Sequence, residues 1–459
     1  MANVVVNFGK EIGKIKPLNG VNAGPKTKVF TYDATDLFKE ANIPYSRLHD
    51  VEYPYGSGEF VDIHCIFPDF NADVNDPASY RFALTDCYIQ AILDANSKVI
   101  YRLGESIEHA PVNRYIFPPK DNQKWAEICE HIIMHYNEGW ADGHHWNIEY
   151  WEIWNEADSD TDKAPEEHHA TWAGNREQFY DFYETAAKYL KKRFPHLKIG
   201  GPALASRVWW TDEFVEEMSK RNVPIDFYSW HMYTSNINKM LNRNNEIHEI
   251  MLKYGYTETE LVLDEWNYVE SWNHQPRSFR KLIGATGAAF CGAFMIALQP
   301  TANSVAAYFE ADVIKEWCGI FQVKDMAIGQ TNPQRRLKRD GGCLEPRKPF
   351  YAFKAFGKLL ALGTEVESTC EDEGMYVLAA KNEEEQSVML VSYQSYIVDG
   401  DTNVTLCGLP KDGCKIKVYL TDEGYDEKLE REIECQDETF VLTLRLVDEQ
   451  VRRIEITNR

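Results

Sequence analysis

Residues 148–156 read Ile148-Glu149-Tyr150-Trp151-Glu152-Ile153-Trp154-Asn155-Glu156, and residues 261–267 read Leu261-Val262-Leu263-Asp264-Glu265-Trp266-Asn267. Each is a short apolar run that leads into a glutamate. A buried strand running into an acid beside aromatic rings sets that acid at the strand's carboxyl end, where α/β proteins assemble their sites. Two such carboxylates facing one another point to cleavage of a glycosidic bond.

Outward from these runs, apolar or β-branched stretches alternate with helical patterns from about residue 18 to about 358, the signature of repeated βα units around a parallel sheet. Eight strands are predicted, near 20–22, 44–48, 98–102, 148–153, 198–201, 225–230, 261–264 and 304–308. Eight strands with intervening helices make a (β/α)8 TIM barrel the economical solution. Trp125, Ile128, Cys129, Ile132, Ile133 and Tyr136 repeat at helical spacing, as do Phe179, Phe182, Tyr183, Ala186 and Leu190, so each segment offers one apolar stripe to the barrel wall. After residues 348–356 the texture changes to short strands such as 387–393 and 440–444, punctuated by turn-like stretches at 398–401 and 409–413. The fold class is therefore α/β, a TIM barrel over 18–358 with an accessory β-sandwich over 359–459, and residues 1–17 are expected to add an N-terminal strand to that sandwich.

The 459 residues suffice for a barrel and a smaller partner domain. A formal charge of -23 repels phosphate backbones and anionic head groups, so nucleic acid and membrane surfaces are poor partners and a neutral glycoside or oligosaccharide is the expected one. A homo-oligomer is compatible with the composition. The first ten residues carry neither a basic leader nor a long apolar stretch, and the ten cysteines are scattered, which leads us to expect a cytoplasmic protein with reduced thiols.

A retaining glycosidase needs one carboxyl group to protonate the leaving oxygen and a second, roughly 5 Å away, to attack the anomeric carbon. Glu156 and Glu265, ending the fourth and seventh strands, can meet across a barrel mouth. Two anions so close cannot both ionise cheaply, so the less solvated one is expected to hold its proton and act as the acid. Asn155 can donate to a sugar 2-hydroxyl, and Arg47 can hold a carboxylate ionised through a bidentate contact. His231 and Tyr233 follow the sixth strand, placed to contact the acid or orient the nucleophile.

Trp154-Asn155-Glu156 resembles the acid/base signature of the retaining (β/α)8 glycoside hydrolases with glutamates on strands four and seven. Together with Ile199-Gly200-Gly201-Pro202-Ala203, Asp226-Phe227-Tyr228-Ser229-Trp230-His231-Met232-Tyr233 and Lys348-Pro349-Phe350-Tyr351-Ala352-Phe353-Lys354, it most resembles family 39, the β-xylosidases and α-L-iduronidases. The resemblance implies that Glu156 is the acid/base and Glu265 the nucleophile, with Asn155, His231 and Tyr233 supporting them. It also implies a place in the site for Arg47 and His49, which match its Arg-x-His pattern. Asp264-Glu265-Trp266-Asn267 looks equally like the nucleophile segment of family 51 arabinofuranosidases. Where family 39 has a Tyr-Trp pair on strand eight, this chain aligns Ala307-Tyr308, which assigns Tyr308 to the sugar subsite.

The function expected is a retaining exo-glycosidase, β-xylosidase-like, that needs no cofactor. The alternatives are an α-L-arabinofuranosidase or other exo-glycosidase on the same framework, and a carbohydrate-binding relative without turnover. One strand-end glutamate alone is ordinarily a surface carboxylate; the ordered pair on two barrel strands is what carries the expectation. His131 and His135 are spaced as helical metal ligands, but Ile132 stands where a zinc protease carries glutamate. They are read as a structural pair, while His144-His145 and Glu166-Glu167-His168-His169 are read as solvated loops, so no metal is expected. Trp209, Trp210, Trp272, Tyr53 and Tyr55 are candidate stacking platforms.

Overall fold

The computed structural model describes residues 2–25, 33–51, 59–164, 166–205, 207–272, 275–311, 318–323, 344–394 and 399–458. Tyr53 and Tyr55 lie outside them. The first strand, β1 (Ala2–Lys14), stands apart from the barrel. Eight parallel strands then close on one another: β2 (Gly20–Asn22), β3 (Tyr45–Leu48), β4 (Lys98–Leu103), β5 (Tyr150–Ile153), β6 (Lys198–Leu204), β7 (Phe227–Tyr233), β8 (Glu260–Asn267) and β9 (Asn303–Tyr308). They are the eight strands that the sequence pattern predicts.

Helices wall the barrel because their stripes have nowhere else to bury. The helix Asn122–Asn137 hides Trp125, Ile128, Cys129, Ile132, Ile133 and Tyr136, and Asp121 caps it by accepting from the Lys124 amide at 3.0 Å. The helix Arg176–Arg193 begins with a capping box between Asn175 and Gln178. Among the described residues no helix is long and apolar enough to cross a membrane.

Strand alternation fills the barrel in tiers. Tyr45, Ile100, Tyr150, Phe227, Val262 and Val305 form one closed apolar cluster inside it, while the residues between them, such as Trp151, Leu261, Leu263 and Ala306, belong to the core outside. Two residues further along, the same inward parity brings Arg47 on β3, Glu152 on β5 and Asp264 on β8, all fully buried. Strict alternation would then turn Glu265 outward. The β7–β8 register shifts between Trp230 and His231, and the β8–β9 register between Leu263 and Trp266. Asp264 and Glu265 therefore both face the barrel interior, and Trp266 goes outward to stack on Phe294 with ring centroids 4.3 Å apart. Bulges of this kind re-aim side chains at sites.

A short ribbon, β10 (Phe321–Val323) with β11 (Leu344–Pro346), follows the barrel. The helix Lys348–Leu362 then carries on past residue 358, and chain direction changes at Gly363, whose φ of 82° suits glycine. The barrel unit thus ends four residues later than the sequence texture implies, because the apolar stripe of that helix runs to Leu359 and Leu362. Eight further strands follow: β12 (Thr364–Cys370), β13 (Met375–Lys381), β14 (Glu385–Ser392), β15 (Asp399–Cys407), β16 (Cys414–Thr421), β17 (Lys428–Cys435), β18 (Thr439–Val447) and β19 (Gln450–Asn458). They join β1 in one hydrogen-bonded sheet ordered β17-β16-β19-β14-β13-β12-β1-β15-β18. Buried residues from both halves, including Val404, Leu444, Val388 and Ile454, share one core. Gly400 and Asp401, expected in a turn, lie in β15. The other face of β14 packs on the barrel, where Gly292 admits Met389 and Val391: a Cβ there would lie 2.8 Å from Met389 and 2.9 Å from Val391.

Candidate active site

Arg47 organises the floor of the barrel mouth. Its Nε lies 2.7 Å from Glu152 and 2.9 Å from Asp264, one terminal nitrogen donates to Glu265 Oε1 at 2.8 Å and to Asn22 at 3.1 Å, and the other donates to Asn155 Oδ1 at 2.8 Å. A planar fork with five donors suits this task in a way an ammonium does not. The charges are apportioned by burial and proximity. Burial drives the Glu152 carboxyl well above its ordinary range against the pull of Arg47, whereas for Asp264 the opposing effect of burial is outweighed by Arg47 and His231, which hold it at about 2.

Glu156 is positioned by an unusual strand end. Trp154 has a φ of 71° and Glu156 has φ 51°, ψ 32°, left-handed conformations costing about 1–3 kcal/mol each for such residues. They are held by the Trp154 amide on Leu103 O at 2.8 Å, the Glu156 amide on Ala203 O at 2.9 Å and the Thr171 hydroxyl on Glu156 O at 2.9 Å. The Glu156 carboxylate meets His231 Nδ1 at 2.7 Å. Tyr233 donates to Glu265 Oε2 at 2.7 Å, and His49 Nε2 stands 3.4 Å from Oε1. Glu156, His231 and Glu265 each place one ligand-type atom within 4.8 Å of the other two.

Burial alone would discharge the His231 ring, but the Glu265 and Asp264 carboxylates outweigh it and raise the ring well above its usual value. Burial likewise raises Tyr233, which keeps its proton for Glu265. Glu265 itself is raised by burial and held down by His231 and Arg47. Glu265 is the less solvated of the two, with a side chain 4% exposed against 15% for Glu156. It accepts from an arginine and a phenol while Glu156 meets the His231 ring, so burial and aimed donors act in opposite directions on Glu265.

The pair opens into a cavity of about 610 Å³ whose wall includes His49, Tyr233, Arg243, Trp272 and Phe309. Tyr308 is not part of it. Its ring is fully buried between Trp266 and Phe353, and its hydroxyl donates to Cys318 O at 3.0 Å. Inward parity on β9 runs through Val305 and Ala307, and Phe309 just past its end lines the cavity where Tyr308 does not. Trp210 is core, stacked on Phe214, and Trp209 lies under the Arg176 guanidinium away from the cavity. Trp272 is half exposed, with its ring 5.4 Å from that of Tyr233. His109 and Arg243 also line the cavity; His109 lies in the loop after β4, where no periodicity marks an inward residue, and Arg243 lies on the helix Ile237–Lys253, whose apolar stripe does not mark a polar residue at the barrel mouth.

The profile of Glycosyl hydrolases family 39 matches residues 21–279. The chain belongs to glycosyl hydrolase family 39. A β-xylosidase of Caldicellulosiruptor saccharolyticus is 30% identical over 299 residues, 60% of this chain and 56% of the relative. One of Geobacillus stearothermophilus is 28% identical over 221 residues, 46% of this chain and 40% of the relative. The chain thus spans about half the length of the curated relatives it matches. Among solved structures, a glucosidase from Croceicoccus marinus superposes with a TM-score of 0.78 at 22% identity, covering 100% of this chain and 99% of the other. A monomeric β-xylosidase from Caulobacter crescentus gives 0.71 at 14% identity, covering 100% and 99%. At these identities the likeness extends to the fold, barrel and sheet together, while the family 39 profile spans both Glu156 and Glu265.

Proposed function

We propose that this family 39 chain is a retaining glycoside hydrolase of β-xylosidase type that releases a terminal sugar through a glycosyl-enzyme intermediate. The observation that carries this reading is the approach of Glu156 and Glu265 to within 4.8 Å, oxygen to oxygen. Retention requires carboxyl groups about 5–5.5 Å apart, and inversion needs room for a water between them, about 6.5–9.5 Å. Glu265 attacks the anomeric carbon as Glu156 protonates the leaving oxygen; Glu156 then takes a proton from water, which releases the sugar.

The Asn155 amide supports the same reading. Its oxygen is taken by Arg47, so its nitrogen is the free end, buried and without a partner among the described residues. A donor held in that way suits a sugar 2-hydroxyl as charge develops beside it. The nine described cysteines are free, which supports a reducing compartment.

The test is hydrolysis of aryl β-xylosides, α-L-arabinofuranosides, β-glucosides and α-L-iduronides side by side, with the anomer of the first-formed product read by proton NMR. Release of xylose with retained configuration is expected; inversion, or no turnover on any member, ends the proposal. Preference for the iduronide would shift the glycone reading to an anionic sugar, which the Arg243 guanidinium at the cavity wall can accommodate. Trp272→Ala should raise KM roughly fivefold and leave kcat nearly unchanged, since a rim ring contributes about 1 kcal/mol of stacking to substrate and transition state alike. Steady-state kinetics on the preferred aryl glycoside check this.

A further inference from the structure

The carboxylate of Asp86, on the helix Ala83–Asp94, meets two imidazoles from elsewhere in the chain. Asp86 Oδ1 is 3.1 Å from Nε2 of His135, on the helix Asn122–Asn137, and Oδ2 is 3.8 Å from Nε2 of His144, in the loop before β5. The ligand-type atoms of all three lie within 4.8 Å of one another. We propose that Asp86, His135 and His144 form a structural site for a divalent transition metal, zinc by preference, that clamps the loop over residues 138–147 to the two helices.

The hydrogen bonding of His135 orients it for the cluster. Its Nδ1 lies 2.9 Å from the Trp140 carbonyl. A carbonyl oxygen only accepts, so Nδ1 carries a proton and Nε2 is the ring atom turned to the Asp86 carboxylate. A cation seated between Nε2 and Asp86 would be within reach of His144 as well. A carbonyl on the far nitrogen is also how proteins orient histidine ligands. Zinc bonded at about 2.0–2.2 Å to nitrogen and oxygen separates tetrahedral ligands by roughly 3.3–3.5 Å, a value bracketed by the two distances seen here. His144 is 31% exposed and Asp86 27%, so an ion can enter and keep a water as its fourth ligand.

The loop has the character of a segment that something must hold. Gly139, Ala141, Asp142 and Asn147 all have φ between 55° and 79°. At Gly143 a Cβ would lie 2.1 Å from the His135 carbonyl oxygen, so only glycine lets the loop approach that closely. The group Asp62, His64 and Glu105 is also compact, but Asp62 already accepts from Arg102, the Ser106 amide and the Ser106 hydroxyl, and Glu105 accepts from His64. That leaves no comparable demand for a cation. The reading of His144 as part of a solvated loop, and of His135 as a partner of His131, is therefore replaced by a cluster drawn from three segments, which sequence spacing could not reveal.

The experiment uses untagged full chain stripped with EDTA and titrated calorimetrically with zinc sulfate, with melting temperature read in parallel. One equivalent should bind and raise the melting temperature, and Co²⁺ in its place should give a tetrahedral visible spectrum. His144→Ala, a change at a partly exposed position, should weaken binding at least about tenfold, abolish the melting shift and leave the far-UV circular dichroism intact. Asp86→Asn should behave alike. No binding at micromolar zinc, or one equivalent bound at unchanged affinity by both variants, overturns the proposal; in the second case the ion sits elsewhere, for example at Glu156, His231 and Glu265.

Discussion

Replacing Glu265 with alanine is expected to lower turnover of natural glycosides by roughly 10⁴- to 10⁶-fold, the range seen when a nucleophile acting within a concerted set is removed. The signature is the rescue. Azide should occupy the space left by the carboxylate and attack the anomeric carbon directly, while Glu156 still protonates the leaving group. One displacement in place of two gives a glycosyl azide of inverted configuration. Glu156→Ala should behave in the opposite sense: aryl glycosides whose leaving groups need no proton should form the glycosyl-enzyme at near-normal rate, and azide should then yield product of retained configuration. Product stereochemistry by NMR separates the two roles. A Glu265→Ala protein with wild-type rates, or with a retained azide product, would show that the assignment is wrong.

Arg47→Met should cost about 3–5 kcal/mol of folding stability, because removing one member of a buried charge set leaves the others uncompensated. Glu152, Asp264 and Glu265 all lie within 2.9 Å of the guanidinium. The pH dependence carries the sign. In the wild type, Asp264 at about 2 contributes stability that is present above its unfolded value of 3.8 and lost as pH falls toward 2. Without Arg47 the Asp264 carboxyl loses what holds it down, and those of Glu152 and Glu265, raised already, rise further, so the folded state binds extra protons and the deficit of the variant should shrink as pH falls from 8 to 5. Urea unfolding at the two pH values measures this; a deficit under 1 kcal/mol, or one that widens at pH 5, contradicts the charge ledger. Arg47→Lys should recover part of the stability but not the rate, since one ammonium cannot reach Glu152, Glu265 and Asn155 together. The acid limb of kcat/KM should move to higher pH in that variant, because weaker stabilisation of the Glu265 anion raises its carboxyl further.

The barrel was legible because its strands are short apolar runs set between amphipathic helices of ordinary period. The acids Glu156 and Glu265 were legible because each ends such a run. The residues that escaped did so for specific reasons. Glu152 reads as an interruption of an apolar strand, and only the parity that also brings Arg47 and Asp264 inward makes it a member of the site. Phe309 was within reach of the same parity on β9, and alignment to an expected motif drew attention to Tyr308 beside it. His109 depends on where the loop after β4 comes to rest, and Arg243 on how the helix Ile237–Lys253 is set against the barrel mouth; both are tertiary outcomes. The donors that reach Glu265 sit on β3 and β7, far from it in sequence, so no local pattern announces them.

The place of β1 bears on how the chain is made. Ala2 pairs with Thr402 and Val4 with Cys370, so a strand made before the barrel takes its place between two made after it. Until then Val4-Val5-Val6 presents both edges unpaired, the kind of segment that recruits other chains. Pairings of such long sequence separation close slowly. β1 therefore works as a late latch: the sheet cannot be completed until it docks between β12 and β15. During refolding from urea, burial of the barrel tryptophans should precede protection of the β1 amides from hydrogen exchange, and yields should fall with protein concentration during the interval between the two.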